Sequence, residues 1–238
     1  MTGAFSGLDA LAGVYAGTAP VAAIYAGTQQ IWPMGPPPLA EVAREDFNVP
    51  DQQDLPQFTA QTDIARVRNQ AANFNGLPAN VGMLTYNGTF NPVPTVDDHA
   101  ITAQLCPPFT DVATNGYTGL FARCGPTFNS GSRIALEVST GSGSRIRTYV
   151  GSTGLNRATG PNVALTDRIR FECRGKYYAG YLNDDTAPFI EWTDTNTVVA
   201  IGPNTRRCGL SMQANYPLFQ RQYGSPAVDW FSLGQWPA

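Results

Sequence analysis

Charged residues and long apolar runs are both scarce in this sequence. Only 14% of the 238 residues are charged, the net charge is −3, and lysine and histidine occur once each, as Lys176 and His99. A nucleic-acid-binding domain usually presents a basic face, so this composition argues against nucleic acid as a partner. A membrane-spanning helix needs about 20 consecutive apolar residues. No stretch approaches that length, so we expect no membrane insertion.

Metal-binding and export motifs are also missing. The four cysteines form no C-x-x-C pair and there is one histidine, so we expect neither a zinc-type metal site nor a cofactor. The first residues lack the basic and apolar regions of a secretory signal, so we expect no export. The cysteines could pair in several ways. Without export, we predict instead that Cys124, Cys173 and Cys208 are buried free thiols.

What is present favours a turn-rich β protein. Hydrophobic residues make up 42% and aromatic residues 11% of the chain, with 24 glycines and 19 prolines. Several segments alternate apolar and polar residues, the period of strands with one solvated face. We predict strands at 99–105, 118–123, 133–139, 145–150, 168–174, 177–182, 208–213 and 228–233. This predicts an all-β fold, a two-sheet antiparallel sandwich. Leu39 to Arg44 is expected to form one helical turn.

The first 34 residues contain a short internal repeat. Residues 12–18 recur ten residues later as 22–28, each a small strand followed by Gly-Thr. So few strands cannot bury a core alone. They either dock on the rest of the chain or form an anchoring module completed by a partner, which we favour. Its expected contact residues are Val14, Tyr15, Ile24, Tyr25, Ile31 and Trp32. A proline-rich linker, 35–39, then separates this module from a sandwich over 40–238.

The order of the predicted strands resembles the concanavalin A-like lectin/glucanase jelly roll. The features that match are an opening Glu45-Asp46-Phe47, the strand around Gly119–Arg123, the strand-turn-strand of 169–182 and a closing Ala227–Phe231. The resemblance implies that the closing strand lies beside the N-terminal one. It covers residues 40–238.

The N-terminal repeat resembles a more specific group of proteins. A repeated Val/Ile-Tyr-x-Gly-Thr, followed by Ile31-Trp32-Pro33 and a proline-rich linker, is similar to the N-termini of minor tail proteins of phages infecting actinobacteria. The excess of arginine over lysine fits a GC-rich host. The resemblance implies a virion protein, assembled in the host cytoplasm, present in multiple copies and bound to other tail or capsid proteins through residues 1–34.

Catalytic motifs of this fold are not found. Glucanases of the family share an E-x-D-x-x-E strand, whereas Glu137 and Glu172 stand alone on their strands and Glu191 and Asp194 have the wrong spacing. There is also no G-x-S-x-G nucleophile motif. We therefore expect that this protein is not an enzyme. A secreted carbohydrate-active enzyme is the least favoured alternative.

Glycan binding asks for less chemistry, namely aromatic faces and planar hydrogen-bonding groups. Candidate residues on the predicted solvated faces are Arg123, Arg147, Tyr149 and Tyr181, with Trp192 in a predicted loop. The sandwich would then bind host cell-surface glycan without a metal. The alternative for these residues is a decorated sheet face, on a purely structural head or tail decoration protein with no ligand.

Asp97, Asp98 and His99 form the densest polar cluster. Two carboxylates before a strand could bind calcium, as in legume-type lectins, but they supply too few oxygen ligands. The alternative is a solvated strand start with His99 half-buried, and we expect no metal. We interpret Asn183-Asp184-Asp185 as a hairpin turn.

Overall fold

The computed structural model describes two compact units, Met1–Pro38 and Leu39–Ala238. The described residues are 15–16, 19–20, 24–26, 29–32, 39–52, 54–60, 65–74, 81–109, 114–126, 128, 131–216 and 223–236. In the first unit β1 (Tyr15–Ala16) pairs with β2 (Ala19–Pro20), and β3 (Ile24–Ala26) pairs with β4 (Gln29–Trp32), both antiparallel. Val14, and the side chains of the other five expected anchor residues, lie outside what the structure describes. Their contacts stay a prediction.

The second unit is built from two antiparallel sheets, named here sheet I and sheet II. Sheet I runs β17 (Ile190–Thr193), β16 (Tyr177–Leu182), β15 (Arg168–Arg174), β10 (His99–Cys106), β20 (Ala227–Gln235), β8 (Ala71–Phe74) and β7 (Ala65–Arg68), with β5 (Ala40–Glu45) also paired to β20. Sheet II runs β14 (Thr153–Gly160), β13 (Ser144–Val150), β12 (Ser132–Val138), β11 (Thr118–Cys124), β18 (Arg207–Tyr216), β9 (Val81–Phe90) and β6 (Phe58–Ala60), with β19 (Tyr223–Gly224) paired to β18.

Alternating side chains from both sheets meet in one core. Phe58, Phe90 and Phe231 pack with ring centroids 5.0 to 5.2 Å apart. Aliphatic residues such as Leu136 and Ile169 extend the core. Aromatic pairs at these separations add to the stabilisation from burial alone. The core therefore fixes which face of each strand remains for solvent.

All eight predicted strands are observed, and each begins within one residue of its predicted start. The prediction of a helical turn over Leu39–Arg44 is wrong, because this segment forms β5. There Ala43 pairs with Leu233 and Glu45 with Phe231 of the closing strand. The neighbouring strand supplies the hydrogen bonds that local propensity does not predict. This pairing confirms that the closing strand lies beside the N-terminal strand of the sandwich.

The thiols are free, as predicted. Cys124, Cys173 and Cys208 are buried and Cys106 is half-buried. Burial raises the pKa of Cys124 to about 11 and that of Cys173 to about 12.

Helix is almost missing from the described residues. They contain one 3₁₀ turn, Pro203–Thr205, and among them no helix has the length and apolarity needed to cross a membrane.

Candidate functional site: a polar cavity on the outer face of sheet II

Five adjacent strands of sheet II present their outward side chains around one cavity of about 330 Å³. Because Leu120, Leu136 and Leu210 point into the core, their sequence neighbours point outward. The cavity is lined by Met83, Thr85, Asn87, Phe121, Phe128, Arg133, Ala135, Glu137, Arg147, Tyr149, Ser152, Ser211 and Gln213. The wall thus combines aromatic rings, guanidinium groups, amides and hydroxyls, which are the groups that hold polar ligands.

Glu137 is the single carboxylate among these lining residues. Its side chain on β12 is nearly buried, and its Oε2 lies 2.6 Å from Arg145 Nη2 on β13, the residue directly opposite. The Tyr149 hydroxyl donates a hydrogen bond to the other oxygen, Oε1. Burial, and then the Glu137 charge, raises the pKa of Tyr149. Both carboxylate oxygens are therefore already engaged.

Arg133 forms the aromatic side of the cavity. Its guanidinium carbon lies 4.1 Å from the Phe128 ring centroid and 4.2 Å from that of Tyr149. Its Nη1 donates to the carbonyl oxygens of Gly151 at 2.8 Å and Phe128 at 3.3 Å. Burial lowers the pKa of Arg133. Cation–π stacking and these hydrogen bonds hold the guanidinium in place, so it serves as part of the wall.

Arg147 is held more loosely, beside the same Tyr149 ring. Its Nη2 donates to Gly154 O on β14 at 3.2 Å, and its guanidinium carbon lies 5.1 Å from the Tyr149 centroid. A Cβ on Gly154 would lie 2.4 Å from Arg147 Nε. Only glycine therefore lets this guanidinium lie against the β14 backbone.

The far side of the cavity carries uncharged polar groups from β9 and β18. Asn87, Ser211 and Gln213 line it. Ser211 Oγ donates to Gly119 O at 3.4 Å, and Gln213 Oε1 accepts a 3.4 Å hydrogen bond from the Tyr117 amide. These long hydrogen bonds leave the groups available to a bound hydroxyl.

The structure brings together two of the five predicted glycan-binding residues. Arg147 and Tyr149 both line the cavity. Tyr181 lies on β16 of sheet I, where the Arg170 guanidinium stacks on it at 4.6 Å. Tyr181 therefore belongs to the other sheet and cannot share a ligand site with Tyr149.

Trp192 also lies elsewhere. The prediction that it sits in a loop is wrong, because it forms part of β17 and pairs with Tyr178. Its ring stacks on the buried Tyr178 with centroids 5.7 Å apart, and it packs against the core. One side of Trp192 is thus committed to the sandwich.

Arg123 does not face outward, so the prediction that it lies on a solvated strand face is wrong. The register of β11 against β18 shifts between Phe121 and Cys124, and Arg123 has φ +55°. This irregularity turns the side chain inward, where it is completely buried. Its Nη2 donates to Gly175 O at 3.2 Å. A ligand on the outer face of sheet II could not reach it.

Asp97 and Asp98 bind arginines. Arg206 Nε donates to Asp97 Oδ1 at 2.7 Å, which lowers the pKa of Asp97. Asp98 Oδ1 lies 3.8 Å from Arg123 Nη2 and accepts a 2.8 Å hydrogen bond from the Gly175 amide. His99 is completely buried, so the prediction of a half-buried ring is wrong. In the described part of the chain no group of three histidine, cysteine or acidic residues is placed to hold a metal ion.

Glu137, Asn87, Ser211 and Gln213 were not among the predicted site residues. Glu137 is recognisable in the sequence as an isolated carboxylate on one strand of a hairpin, and Arg145 lies opposite it on the other strand. Asn87, Ser211 and Gln213 carry no comparable signal, because β9 and β18 are distant in sequence and are joined only by their pairing.

No family model and no curated protein matches this chain. Solved structures do. The glucanase SCLam, a non-specific endo-β-1,3(4)-glucanase from family GH16, matches with a TM-score of 0.54 and 9% identity over 86% of this chain and 94% of its own. The CBM2 module of the evolved Dit of Lactobacillus casei BL23 phage J-1 matches with a TM-score of 0.54 and 13% identity over 86% of this chain and 99% of that module. The VIP36 exoplasmic/lumenal domain, solved with Ca²⁺ and Man3GlcNAc, matches with a TM-score of 0.50 and 11% identity over 78% of this chain and 86% of its own.

At these identities the likeness defines the fold. The sandwich is a jelly roll of the concanavalin A-like lectin/glucanase type, which confirms the fold predicted from the sequence.

Proposed function

We propose that this chain is a non-enzymatic virion component, a phage minor tail protein whose sandwich binds host cell-surface glycan in the sheet II cavity. The observation that carries the glycan part is the cavity wall, where amides, hydroxyls and guanidinium groups surround aromatic and apolar groups. Sugars present both hydroxyls and apolar ring faces, so such a wall suits them.

The phage assignment rests on two supports. The structural neighbours include a carbohydrate-binding module of a phage Dit protein, matched over 99% of that module. The short strands of the first unit also follow the repeat that resembles minor tail proteins. Residues 1–34 would bind neighbouring tail or capsid proteins. Many copies per particle would convert weak single sites into useful avidity.

The state of Glu137 supports a binding role over hydrolysis. Glycoside hydrolases flank the scissile bond with two carboxyl groups. Among the described residues that line the cavity, Glu137 is the single carboxylate, and Arg145 and Tyr149 occupy both of its oxygens. We expect no release of reducing ends from β-glucans, and measurable turnover would contradict the non-enzymatic proposal.

The experiment fills the cavity and compares it with an equivalent position on the other sheet. Ser211→Tyr puts a ring into the sheet II cavity, whereas Ser232→Tyr puts one on the outer face of sheet I, where Ser232 lines a separate cavity of about 300 Å³. Full-length protein is displayed on beads and tested against actinobacterial cell-wall glycans and a polysaccharide array.

We expect the wild type and Ser232→Tyr to bind and Ser211→Tyr to lose binding, with all three melting cooperatively. Absence of binding by the multivalent wild type would favour a purely structural decoration protein. Loss of binding in Ser232→Tyr alone would place the ligand on sheet I and contradict the proposed site.

A further inference from the structure

The charges around the sheet II cavity do not balance. Arg133 and Arg147 line it, Arg145 lies beside it, and Glu137 is the single carboxylate among the described lining residues. Arg145 and Glu137 neutralise each other at 2.6 Å. The cavity therefore retains an excess of positive charge, in a protein whose net charge is −3.

The two remaining guanidiniums are not equivalent. Arg133 stacks against two rings and donates through its Nη1 to two backbone carbonyls, so the protein itself holds this guanidinium. Arg147 donates to one carbonyl at 3.2 Å, and its Nε is buried without a hydrogen-bond partner in the described part of the chain. No described carboxylate forms an ion pair with it, whereas Arg145 and Arg170 each have one.

A buried guanidinium nitrogen without an acceptor costs free energy unless a ligand or water supplies one. The Arg147 guanidinium lies against the Gly154 backbone, with its carbon 5.1 Å from the Tyr149 ring centroid. A planar guanidinium presents paired N–H groups, which match two oxygens of an oxyanion better than they match a single hydroxyl. The opposite wall, with Asn87, Ser211 and Gln213, suits the hydroxyls of the same ligand.

We infer that the sheet II cavity selects glycans that carry an oxyanion, a uronic acid carboxylate or a sugar phosphate, and that Arg147 is the specificity-determining residue that binds it. This inference rests on the proposed glycan binding and narrows it to acidic sugars. Arg133 and the Glu137–Arg145 pair then shape the wall and contact no anion.

The test compares an acidic glycan with its neutral ester and adds a phosphorylated glycan as a second acidic ligand. Full-length protein is titrated with oligogalacturonate, with its methyl ester and with a phosphorylated oligosaccharide, at low and moderate salt. The variants are Arg147→Met, which removes the charge, and Arg147→Lys, which keeps the charge and loses the planar fork. Arg170→Met is the matched control, since Arg170 also stacks on a tyrosine but lies on sheet I.

We expect the wild type to bind at least one acidic ligand about 10-fold or more tightly than the neutral ester, the range of a charge-assisted hydrogen bond. Arg147→Met should lose this preference, Arg147→Lys should keep part of it, and Arg170→Met should match the wild type. Whether the carboxylate or the phosphate ligand binds identifies the source of the oxyanion. Salt should weaken acid binding and leave ester binding unchanged.

Equal binding of acid and ester by the wild type, lost in Ser211→Tyr, would overturn the acidic preference and leave glycan binding intact. An acid preference that survives in Arg147→Met would overturn the role of Arg147. Absence of binding to every glycan would overturn the proposed function itself and this inference with it.

Discussion

His99 is completely buried at the start of β10, with its Nδ1 2.9 Å from the Asp97 carbonyl oxygen. Burial, and then the charge of Arg123, lowers the pKa of His99 from 6.5 to about 4, against the opposing effects of Asp97 and Asp98. The unfolded chain therefore binds a proton near pH 6.5 that the folded protein binds only near pH 4. Because the unfolded state holds more protons in this window, stability falls as the pH falls through it.

We expect acidification from neutral pH to about pH 4 to lower the free energy of unfolding by roughly 3 kcal/mol through His99. Urea denaturation at a series of pH values measures this. His99→Gln does not titrate, so its profile should be flatter over the same window. The pKa of Asp97 is lowered mainly by its hydrogen bond from Arg206, which His99→Gln leaves in place, so Asp97 should contribute similarly in both proteins. Parallel profiles for the wild type and His99→Gln would contradict the prediction.

The buried thiols should be chemically inert until the protein unfolds. The reactive species is the thiolate, and burial raises the pKa of Cys124, Cys173 and Cys208. With Ellman's reagent at mildly alkaline pH, we expect slow labelling of the native protein and rapid labelling in urea. Cys106→Ser removes the least buried thiol and serves as the control. Rapid native labelling of Cys173, mapped by mass spectrometry, would be the contrary result.

Arg123 shows why residue faces were only partly predictable. Alternation assigns outward faces correctly to Arg147 and Tyr149, which lie on a regular hairpin with Arg133 opposite Tyr149. At Arg123 the register shift and the positive φ reverse the face. A bulge of this kind depends on the neighbouring strand, and nothing in the period of β11 marks it.

At the scale of elements, β18 and β9 approach closely because Gly209 has no side chain. A Cβ there would lie 2.0 Å from Gly88 O and 2.5 Å from Phe121 Cζ. The ring of Phe121, which lines the cavity, therefore lies over the β18 backbone. Gly209 therefore affects both the pairing of β18 with β9 and the position of the Phe121 ring in the cavity wall.

We expect Gly209→Ala to lower the free energy of unfolding by about 1–3 kcal/mol, the usual cost of overpacking a tight position. Chemical denaturation measures the change, and Ser211→Ala on the same strand is the control, with an expected change near zero. Equal stability of Gly209→Ala and the wild type would show that the two strands can separate without cost.

Gly154→Val on β14 should separate binding from stability. The added side chain would displace the Arg147 guanidinium and press on the Tyr149 ring, whereas β14 is an edge strand whose residues are exposed or half-buried. We expect loss of acidic-glycan binding with a melting temperature within a few degrees of the wild type. Thr153→Ala, on the same strand, should leave both unchanged. Retained acid binding in Gly154→Val would mean that the Gly154 contact does not position Arg147.

Strands with a clear period of two were predictable, and β15, with Ile169, Phe171 and Cys173 facing the core, is the clearest. Short strands at sheet edges were not. β17 and β5 are strands because β16 and β20 pair with them, and β17 has only four residues. Pairing with a neighbouring strand overrides the local conformational preference of such a short segment.

At the scale of the whole molecule, the contacts divide the chain at the proline-rich linker into Met1–Pro38 and Leu39–Ala238. We expect a chain of residues 39–238 to keep the circular dichroism spectrum, the melting temperature and the glycan affinity of the full chain. The same deletion should abolish incorporation into virions. A sandwich that aggregates or melts much earlier without residues 1–38 would contradict this independence.

The fold class followed from composition and alternation, but the cavity did not. Its wall joins β9, β11, β12, β13 and β18, which come from distant parts of the chain. The order β12-β11-β18-β9 decides that Glu137 and Ser211 face the same space. Strand order is set by long-range contacts, which a single sequence does not display as a period.

Lys176 lies in the turn between β15 and β16 of sheet I, with its Nζ 2.7 Å from Thr197 Oγ1. Since every other basic side chain is an arginine, amine-reactive reagents have this one lysine and the α-amino group to attack. With the α-amino group blocked, coupling to a sensor surface through Lys176 would attach the sandwich by one point outside the sheet II cavity and leave the cavity open.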